Sequence, residues 1–487
     1  MKKTFVYILV SSLLVFFSCT KDIGKKDYTN FGNYPREIGN IMASSCAVTG
    51  CHNSESYLAA SDFNLESWEK MFLGSSNGSP VVPYSSQFSS LCYFINTYPD
   101  LGIQNTPVMP LNGIALSYKD VKTIKDWINN GAPDMNGNIK WADNPKRKKF
   151  YAVNQGCDVV TVFDAETQLP MRFIEVGNKP GIESPHQVRV SEDGNYWYVL
   201  FVNNNIMQKY RCSDDSYVGD IPLTPLAAGS GPENNLDWNT FIISKDGKRA
   251  YCASYNPSGR VSAVDLEKMK LIAYSGVLSS PHGIALNAEE DKVYVGAQEN
   301  NYITVLDTTF TDANKIFLDN SSSSNSSIKP HDLLLSEDKK SLFITCQESN
   351  EVRILNLTTG QITIIPTGKM PQEIVYSKSF QQYFVTCTED NVSFPNFTGV
   401  ITRIDAEGYA TKNIQCGFQP HGIAVDEIKK ILYVLSRNVS TSGPLPHHTS
   451  QCGGRNGFVS FVDLTTFSVL KKRYELSADP YFIFARP

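Results

Sequence analysis

The amino-acid sequence predicts a small all-α domain at residues 34–144, followed by an all-β domain at residues 145–487 that folds as a seven-bladed β-propeller. Two observations lead to this fold class. From Lys149 onward, short alternating strands and turn signals recur with a period of 41–53 residues. A period near 45 with about four strands per repeat is typical of β-propellers. The region before Lys149 lacks this repeat and has helical periodicity between long loops.

The first 19 residues have the features of an export signal. Two lysines precede an apolar run from Phe5 to Phe17, which is 13 residues long. A bilayer-spanning helix needs about 20 residues, so this run is expected to be a signal peptide. It ends just before Cys19, and the junction resembles the lipobox of bacterial lipoproteins, which implies that Cys19 is lipidated. Residues 20–33 are then expected to be a tether between the lipid and the first folded unit. The alternative is a plain secretory signal with a chance cysteine.

The overall charge and the cysteine content narrow the class of protein. Lys plus Arg number 44 and Asp plus Glu number 49, which gives a net charge of −5. A nucleic-acid-binding protein needs a basic surface that neutralises phosphates, so no nucleic-acid partner is expected. The 11 cysteines would be unusual in a mesophilic cytosolic protein and are unsurprising in an oxidising compartment. With the lipidated Cys19, this predicts a membrane-anchored lipoprotein of the cell envelope, on the periplasmic or surface face of the outer membrane.

A cofactor motif lies at the centre of the predicted helical domain. Cys46 and Cys51 are followed at once by His52, which is the arrangement of covalent c-type haem attachment. Each thiol would add to one vinyl group of the porphyrin, and the histidine would be the proximal iron ligand. Four residues separate the cysteines instead of the usual two, which resembles a longer variant of the motif. The alternatives are a disulfide beside a histidine, or half of a zinc site for which the domain offers only Cys92 as a further ligand.

A second axial haem ligand is expected downstream of this motif. Met109 lies on a stiff loop between two prolines, and a thioether opposite a histidine raises the haem potential. Met109 is therefore the preferred candidate; the alternatives are that it only packs in the core and that Met42, Met71 or no residue is the ligand.

An amphipathic helix closes the predicted domain. Ser117 and Asp120 form a capping box, and Gly131 and Pro133 end the helix. Its apolar face consists of Val121, Ile124, Trp127 and Ile128. The order of haem motif, Met-Pro loop and terminal helix resembles the small cytochrome c domains of lipoproteins from Bacteroidetes-type bacteria, over about 100 residues. This resemblance implies an electron-transfer domain with covalent haem c.

The repeat of the second domain is marked by an aromatic residue followed by three mostly small or β-branched residues. The seven copies begin at Tyr151, Tyr198, Tyr251, Tyr294, Phe343, Phe384 and Tyr433. The first copy has no strand before it, and the last segment, residues 479–486, supplies one strand with nothing after it. Joining the two completes a seventh blade and removes the exposed sheet edges.

These tetrads resemble the YVTN-type seven-bladed propellers. That superfamily includes the propeller domains of nitrous oxide reductase and of cytochrome cd-type nitrite reductase, and the resemblance covers about 340 residues. It implies the fold; it says little about function, because propellers carry many unrelated activities.

Four of the seven histidines share one repeat position, directly after proline at the start of the innermost strand. They are His186, His282, His331 and His421, whereas Gln372 and Tyr481 take this position in two other blades. His447 and His448 lie in an insertion at residues 438–457, which we call the insertion loop. All six histidines are expected to line one face of the propeller, together with Cys452 and Arg455.

Three interpretations of this histidine face remain open. Neutral imidazoles suit a transition metal on the propeller axis, and the resemblance to nitrous oxide reductase implies a metal cluster, although three blades here lack the histidine. A small organic molecule or a second haem could instead occupy the mouth of the channel. Finally, the histidines could be the consensus of the repeat, each bonded to the next blade.

Taken together, these features predict an exported haem c electron-transfer lipoprotein whose propeller carries a ligand or metal face. Its partners would be a redox protein or a small-molecule substrate. The alternative is a non-catalytic envelope module whose propeller rim binds a protein or glycan. Cys157 and Cys452 are expected near one rim in adjacent blades, which suggests a disulfide between them.

Overall fold

The computed structural model describes residues 31–225, 236–394 and 398–487. The predicted signal peptide, Cys19 and most of the predicted tether lie outside these residues. No helix in the described ranges is long and apolar enough to cross a bilayer.

Short helices joined by turns occupy the chain ahead of the first strand; we call residues 31–148 the helical region. Its α-helices are α1 (Arg36–Ile41), α2 (Trp68–Met71), α3 (Ser90–Ile95) and α4 (Tyr118–Asn129). Helix α1 continues into a π-helical turn, Met42–Cys46, which ends at the first cysteine of the motif. Single 3-10 turns lie at Tyr57–Ala59, Ser86–Phe88 and Pro99–Leu101.

Helix α4 forms where its sequence pattern predicts it. The Ser117 hydroxyl accepts a hydrogen bond from the Asp120 amide (3.2 Å), which caps the helix. The predicted apolar face, Val121, Ile124, Trp127 and Ile128, is buried. Gly131, with a φ of +95°, follows its end. The predicted helix is therefore confirmed.

The described residues from Lys149 onward form β-strands joined by turns and loops, and the strands are numbered in chain order. The first eleven are β1 (Lys149–Asn154), β2 (Val159–Asp164), β3 (Pro170–Glu175), β4 (Pro185–Val190), β5 (Tyr196–Phe201), β6 (Ile206–Arg211), β7 (Tyr217–Pro222), β8 (Trp238–Ile243), β9 (Arg249–Ser254), β10 (Val261–Asp265) and β11 (Lys270–Tyr274). The next eight are β12 (Pro281–Leu286), β13 (Lys292–Ala297), β14 (Tyr302–Asp307), β15 (Ala313–Phe317), β16 (Pro330–Leu335), β17 (Ser341–Cys346), β18 (Glu351–Asn356) and β19 (Ile362–Pro366). The last nine are β20 (Pro371–Ser377), β21 (Gln382–Cys387), β22 (Val400–Asp405), β23 (Thr411–Gln415), β24 (Pro420–Asp426), β25 (Ile431–Ser436), β26 (Asn456–Asp463), β27 (Ser468–Ala478) and β28 (Pro480–Ala485).

Within the described residues, these strands form seven separate antiparallel sheets of four strands each. Blades 1 to 6 are made of consecutive strands, from β4–β7 for blade 1 to β24–β27 for blade 6. Blade 7 has the order β28-β1-β2-β3, and Ile483 of β28 lies opposite Ala152 of β1. The predicted seven-bladed propeller, closed by the two ends of the repeat region, is therefore confirmed.

The recurring aromatic residues form much of the propeller core. Each lies on the second strand of its blade, and none of the seven is more than 6% exposed. Tyr433 of blade 6, for example, stacks on Phe150 of blade 7 with ring centroids 4.2 Å apart. The tetrads therefore hold neighbouring blades together, which explains why they recur in the sequence.

The helical region packs against the outer strands of blades 6 and 7. Phe88 stacks on Phe173 of β3 with ring centroids 4.8 Å apart, and the Ser79 hydroxyl donates to the Pro170 carbonyl (2.6 Å). The apolar core of the region is continuous with that of the neighbouring blades. The helical region thus sits beside the propeller, at its circumference.

Candidate functional site

Each innermost strand begins at a recurring turn. In six blades the strand starts with proline and the preceding residue has a left-handed φ of 45–58°. The carbonyl of that residue accepts a hydrogen bond from the residue just after the second strand, as Ser280 does from the Gln298 amide (2.9 Å). Blade 2 starts with Trp238 and retains the bond between the Tyr255 amide and the Asp237 carbonyl (2.7 Å). The side chain after the first strand residue is therefore held at an equivalent position in every blade.

These seven side chains meet at the propeller axis, and we call them the axial cluster. They are His186, Asn239, His282, His331, Gln372, His421 and Tyr481, all at most 9% exposed. The His282 and His331 rings stack with centroids 4.1 Å apart, and the His331 and His421 centroids are 5.6 Å apart. The ring of Tyr481 lies between two of the histidines, with its centroid 3.7 Å from that of His421 and 4.3 Å from that of His186. The four histidines that share the repeat position are thus brought together.

The δ-nitrogens of three of these histidines have fixed partners. Nδ1 of His282 donates to the His331 carbonyl (2.9 Å), and Nδ1 of His421 donates to the Tyr481 carbonyl (3.0 Å). Nδ1 of His331 lies 3.0 Å from the side-chain amide of Gln298. These bonds orient the rings, and carbonyl partners require the N–H to be on Nδ1.

Several other imidazole nitrogens are buried without a partner. Among the described residues, Nε2 of His331, Nε2 of His421 and both ring nitrogens of His186 have no hydrogen-bond partner. Buried polar atoms are normally paired, because an unpaired one loses its hydration and gains nothing in return. The axis therefore has unused donor and acceptor capacity.

Two carboxyl groups lie beside these rings, one residue further along their strands. Glu373 follows Gln372, and its Oε1 is 3.7 Å from Nε2 of His331 and 3.9 Å from Nδ1 of His421. Asp332 follows His331 and accepts hydrogen bonds from the backbone amides of Leu333 (2.9 Å) and Ile374 (3.2 Å). Sequence reasoning missed both acids. A comparison of the repeats could have found them, because Asp332 and Glu373 are acidic at a repeat position where other blades have residues such as Gly283 and Gly422.

Burial sets the protonation states of this site. Burial lowers the pKa of His282 to about 4 and lowers the pKa values of His186, His331 and His421 well below the usual range. The four imidazoles are thus neutral at pH 7 and offer nitrogen lone pairs. Burial, followed by the charge of Asp332, raises the pKa of Glu373 well above its ordinary value.

The structure does not bring His447 and His448 into the axial cluster. Their rings lie against the helical region, His447 against Phe94 (centroids 5.1 Å apart) and His448 against Tyr93 (4.9 Å). The backbone amides of both histidines donate to the Glu475 carboxylate of β27. His447 and His448 therefore lie apart from the four axial histidines, towards the outer strand of blade 6. The insertion loop follows the outer strands, where the helical region covers it.

The insertion loop is bonded covalently to blade 7. Cys452 forms a disulfide with Cys157, which lies in the turn between β1 and β2, and their Cα atoms are 5.3 Å apart. This Cα separation is within the usual range for disulfides. The predicted Cys157–Cys452 disulfide is therefore confirmed. Arg455 turns back on the insertion loop, where its guanidinium donates to the Asn438, Gly443 and Pro444 carbonyls.

In the helical region, Cys46, Cys51 and His52 lie on one tight turn. The His52 amide donates to the Cys46 carbonyl (3.2 Å), and both cysteines have free thiols. Nδ1 of His52 lies 2.8 Å from the Phe63 carbonyl, which can only accept, so Nδ1 carries the proton and Nε2 offers a lone pair. Burial lowers the pKa of His52, and this hydrogen bond opposes part of that effect. Burial, together with the charge of Cys51, raises the pKa of the Cys46 thiol to about 12.

Met109 lies on a loop that backbone hydrogen bonds hold against the end of α3. Its amide donates to the Phe94 carbonyl (2.8 Å), and its side chain packs, partly buried, against the core of the helical region. The side-chain amide of Asn105 on the same loop donates to the His447 carbonyl (3.1 Å). The loop that carries Met109 is thus in contact with the insertion loop of the propeller.

Known proteins resemble this chain only in structure, at low sequence identity. No family model and no curated protein matches the sequence. The chain is similar to a Kuenenia stuttgartiensis hydrazine synthase structure, with a TM-score of 0.46 and 16% identity, over 63% of this chain and 89% of that chain. It is also similar to the crystal structure of a functionally unknown protein from Desulfotomaculum acetoxidans DSM 771, with a TM-score of 0.48 and 12% identity, over 68% of this chain and 99% of that chain.

Proposed function

We propose that this chain is an exported haem c electron-transfer protein whose propeller axis is a ligand site. The observation that carries the proposal is the turn with the free thiols of Cys46 and Cys51 next to His52. Covalent haem attachment uses two thiols and a histidine that follows them directly. Nε2 of His52 is the nitrogen left for iron, because Nδ1 is bonded to the Phe63 carbonyl. The donor set of this turn therefore fits haem c.

In this proposal Cys46 and Cys51 would hold the porphyrin, and His52 and Met109 would bind its iron. Haem c, when bound, supplies one-electron transfer, at a potential that a methionine ligand raises. The Phe63 carbonyl orients the imidazole of His52, and the bond from its own amide to the Phe94 carbonyl positions Met109.

A protein partner for electron exchange is supported by exposed apolar side chains near these motifs. Leu58 is 73% exposed and follows the cysteine motif, whereas Leu111 and Ile114 are 55% and 93% exposed and follow Met109. Exposed apolar residues beside a redox group suit a weak, transient docking surface of the kind that electron-transfer complexes use.

Export to the cell envelope is the remaining part of the proposal. It rests on the signal-like first 19 residues, on Cys19 as the lipidated residue and on the Cys157–Cys452 disulfide. Disulfides form and persist in oxidising compartments and are rare in the cytosol. Lipid attached to Cys19 would anchor the chain to the outer membrane.

The test is a pyridine haemochrome assay on the mature full chain, made in an export-competent host with haem c maturation machinery. We expect about one covalent haem per chain. The double variant Cys46→Ser/Cys51→Ser should lose it, whereas Cys92→Ser, which removes another buried thiol of the same region, should keep it. A wild-type chain without covalent haem would overturn the redox proposal and leave the propeller as a non-catalytic binding module for a protein or glycan.

A further inference from the structure

We propose that the propeller axis binds a single divalent first-row transition-metal ion through imidazole nitrogens of His331 and His421 and a carboxylate oxygen of Glu373. The inference rests on the proposed function only in taking the axis as its ligand site, and it is independent of the haem. Glu373 does not occupy the repeat position of the histidines, so the repeat pattern alone does not identify it as a ligand.

The spacing of the three residues fits one ion. One donor atom from each lies within 4.8 Å of the other two, and all three side chains are buried. Glu373 Oε1 lies 3.7 Å from Nε2 of His331 and 3.9 Å from Nδ1 of His421, the nearer nitrogen of that ring. Nitrogen and oxygen ligands at about 2.1 Å from a tetrahedral ion are about 3.4 Å apart. A reorientation of the Glu373 carboxylate towards Nε2 of His421, with small movements of the rings, would bring the three ligands to this spacing.

The unpartnered nitrogens give an independent reason for an ion here. Nε2 of His331 and Nε2 of His421 have no hydrogen-bond partner among the described residues, although both side chains are only 1% exposed. Metal coordination would use lone pairs that are otherwise buried without compensation. It would also place a positive charge beside Glu373 and Asp332, two carboxyl groups that the axis buries together.

Neighbouring groups already orient the two imidazoles. His421 donates through Nδ1 to the Tyr481 carbonyl, and the Gln298 amide lies against Nδ1 of His331. The Gln298 side chain can serve either tautomer of His331 by turning its oxygen or its NH₂ group towards the ring. Metal-binding histidines characteristically have such a partner on the second nitrogen, because it fixes the ring and its tautomer.

The donor set identifies the class of ion. Imidazole suits zinc, iron, copper and nickel, and two histidines with one carboxylate form the ligand sets of catalytic Zn²⁺ and of non-haem Fe²⁺ sites. A centre with several metal ions would need more histidines than the axis has. Three of the seven axial positions are held by other residues, namely Asn239, Gln372 and Tyr481. Three protein ligands leave at least one coordination position open. His186, with both nitrogens unpartnered, lies across the cluster from the Glu373 side and could hydrogen-bond to a small molecule bound there.

The experiment uses Zn²⁺ as a probe, because zinc is absent from haem and its stoichiometry is independent of the haem content. The purified full chain is stripped with a chelator, incubated with ZnCl₂, passed through a desalting column and analysed for zinc by mass spectrometry. We expect one tightly bound zinc ion per chain. Glu373→Gln and His421→Gln should each weaken zinc binding by at least about 100-fold. His448→Gln, which removes a histidine that is paired with Glu475 outside the axis, should bind zinc as the wild type does.

X-ray absorption at the zinc edge of the wild type provides a test that does not depend on how the variants fold. It should show imidazole and oxygen ligands at about 2.0–2.2 Å. A thiolate at about 2.3 Å, a wild-type chain that retains no zinc, or folded variants that bind zinc as tightly as the wild type would each overturn the proposal. A chain that binds zinc at the axis and carries no haem would overturn only the haem proposal, and a haem protein without axial zinc only this one.

Discussion

At the scale of single residues, a buried ion pair joins blade 7 to blade 1. Lys149 Nζ lies 2.7 Å from Oδ2 of Asp215, with the two side chains 3% and 2% exposed. The lysine also donates to the Cys212 carbonyl (2.9 Å), and the Tyr151 hydroxyl donates to Oδ1 of Asp215 (3.1 Å). Such a pair holds its neighbours in one geometry, and losing one member leaves the other charge buried without a counter-charge.

We expect Asp215→Asn to destabilise the protein by about 3–5 kcal/mol, because the Lys149 ammonium would remain buried without its carboxylate. The measurement is the free energy of unfolding from urea titration. The matched control is Glu37→Gln, which breaks an exposed ion pair with Lys119. The side chains of Lys119 and Glu37 are 81% and 61% exposed. An exposed pair contributes little, so the control should change stability by less than about 1 kcal/mol. If the two substitutions changed the free energy of unfolding to a similar extent, the stabilising role given to the buried Lys149–Asp215 pair would be wrong.

At the scale of elements, the insertion loop connects the helical region to the propeller. The disulfide ties it to blade 7, Glu475 of β27 accepts hydrogen bonds from the backbone amides of His447 and His448, and Gln451 donates to the Gln87 carbonyl (2.6 Å). The same loop touches Asn105, four residues before Met109. Disturbing the insertion loop should therefore destabilise the helical region as well as the propeller.

We expect the double variant Cys157→Ser/Cys452→Ser to lose about 2–5 kcal/mol of stability, because the disulfide restricts the unfolded chain and keeps the insertion loop in place. Thermal unfolding with and without reductant measures this. Reductant should lower the melting temperature of the wild type and leave that of the variant unchanged. Labelling of the denatured, unreduced wild type should find two fewer thiols than after reduction. An equal number of thiols before and after reduction would show that the disulfide does not form in solution.

At the scale of the whole molecule, the ring is closed by hydrogen bonds between distant parts of the chain. Strand β28 supplies the innermost strand of blade 7 and places Tyr481 in the axial cluster. It also contributes Phe482 and Ile483, which are 7% and 1% exposed, to the core shared with blades 6 and 1. Without it, the inner edge of β1 would be unpaired, and an exposed strand edge invites pairing with other chains.

Truncation of residues 480–487 should therefore open the ring. We expect a loss of more than about 5 kcal/mol, from two large buried apolar side chains alone, together with oligomers or aggregates. Light scattering coupled to gel filtration, with thermal unfolding, would detect both. Removal of Pro487 alone is the control and should leave the oligomeric state and the stability of the full chain unchanged, because this residue is exposed. A truncated chain with the oligomeric state and the melting temperature of the full chain would contradict the role given to β28.

The propeller, its blade number, its closure and the meeting of four histidines on the axis could all be predicted from the amino-acid sequence. Each of these follows from a repeat: a residue at one repeat position occupies one place in every blade, so its neighbours across the axis can be read from the alignment of the copies. The Cys157–Cys452 disulfide followed in the same way, since both cysteines could be placed relative to the strands of adjacent blades.

The surroundings of these features, in contrast, depend on how the chain packs in three dimensions. Glu373 and Asp332 do not belong to the repeat pattern, and their closeness to His331 became evident from the packing of blades 4 and 5 around the axis. His447 and His448 lie in an insertion that no other blade has, so repeat geometry does not constrain them. Their place was decided by the docking of the helical region on β3 and β27, through contacts between residues far apart in the chain. Periodic local interactions are visible in the sequence, whereas contacts between a unique loop and a separate packing unit depend on the whole assembled fold.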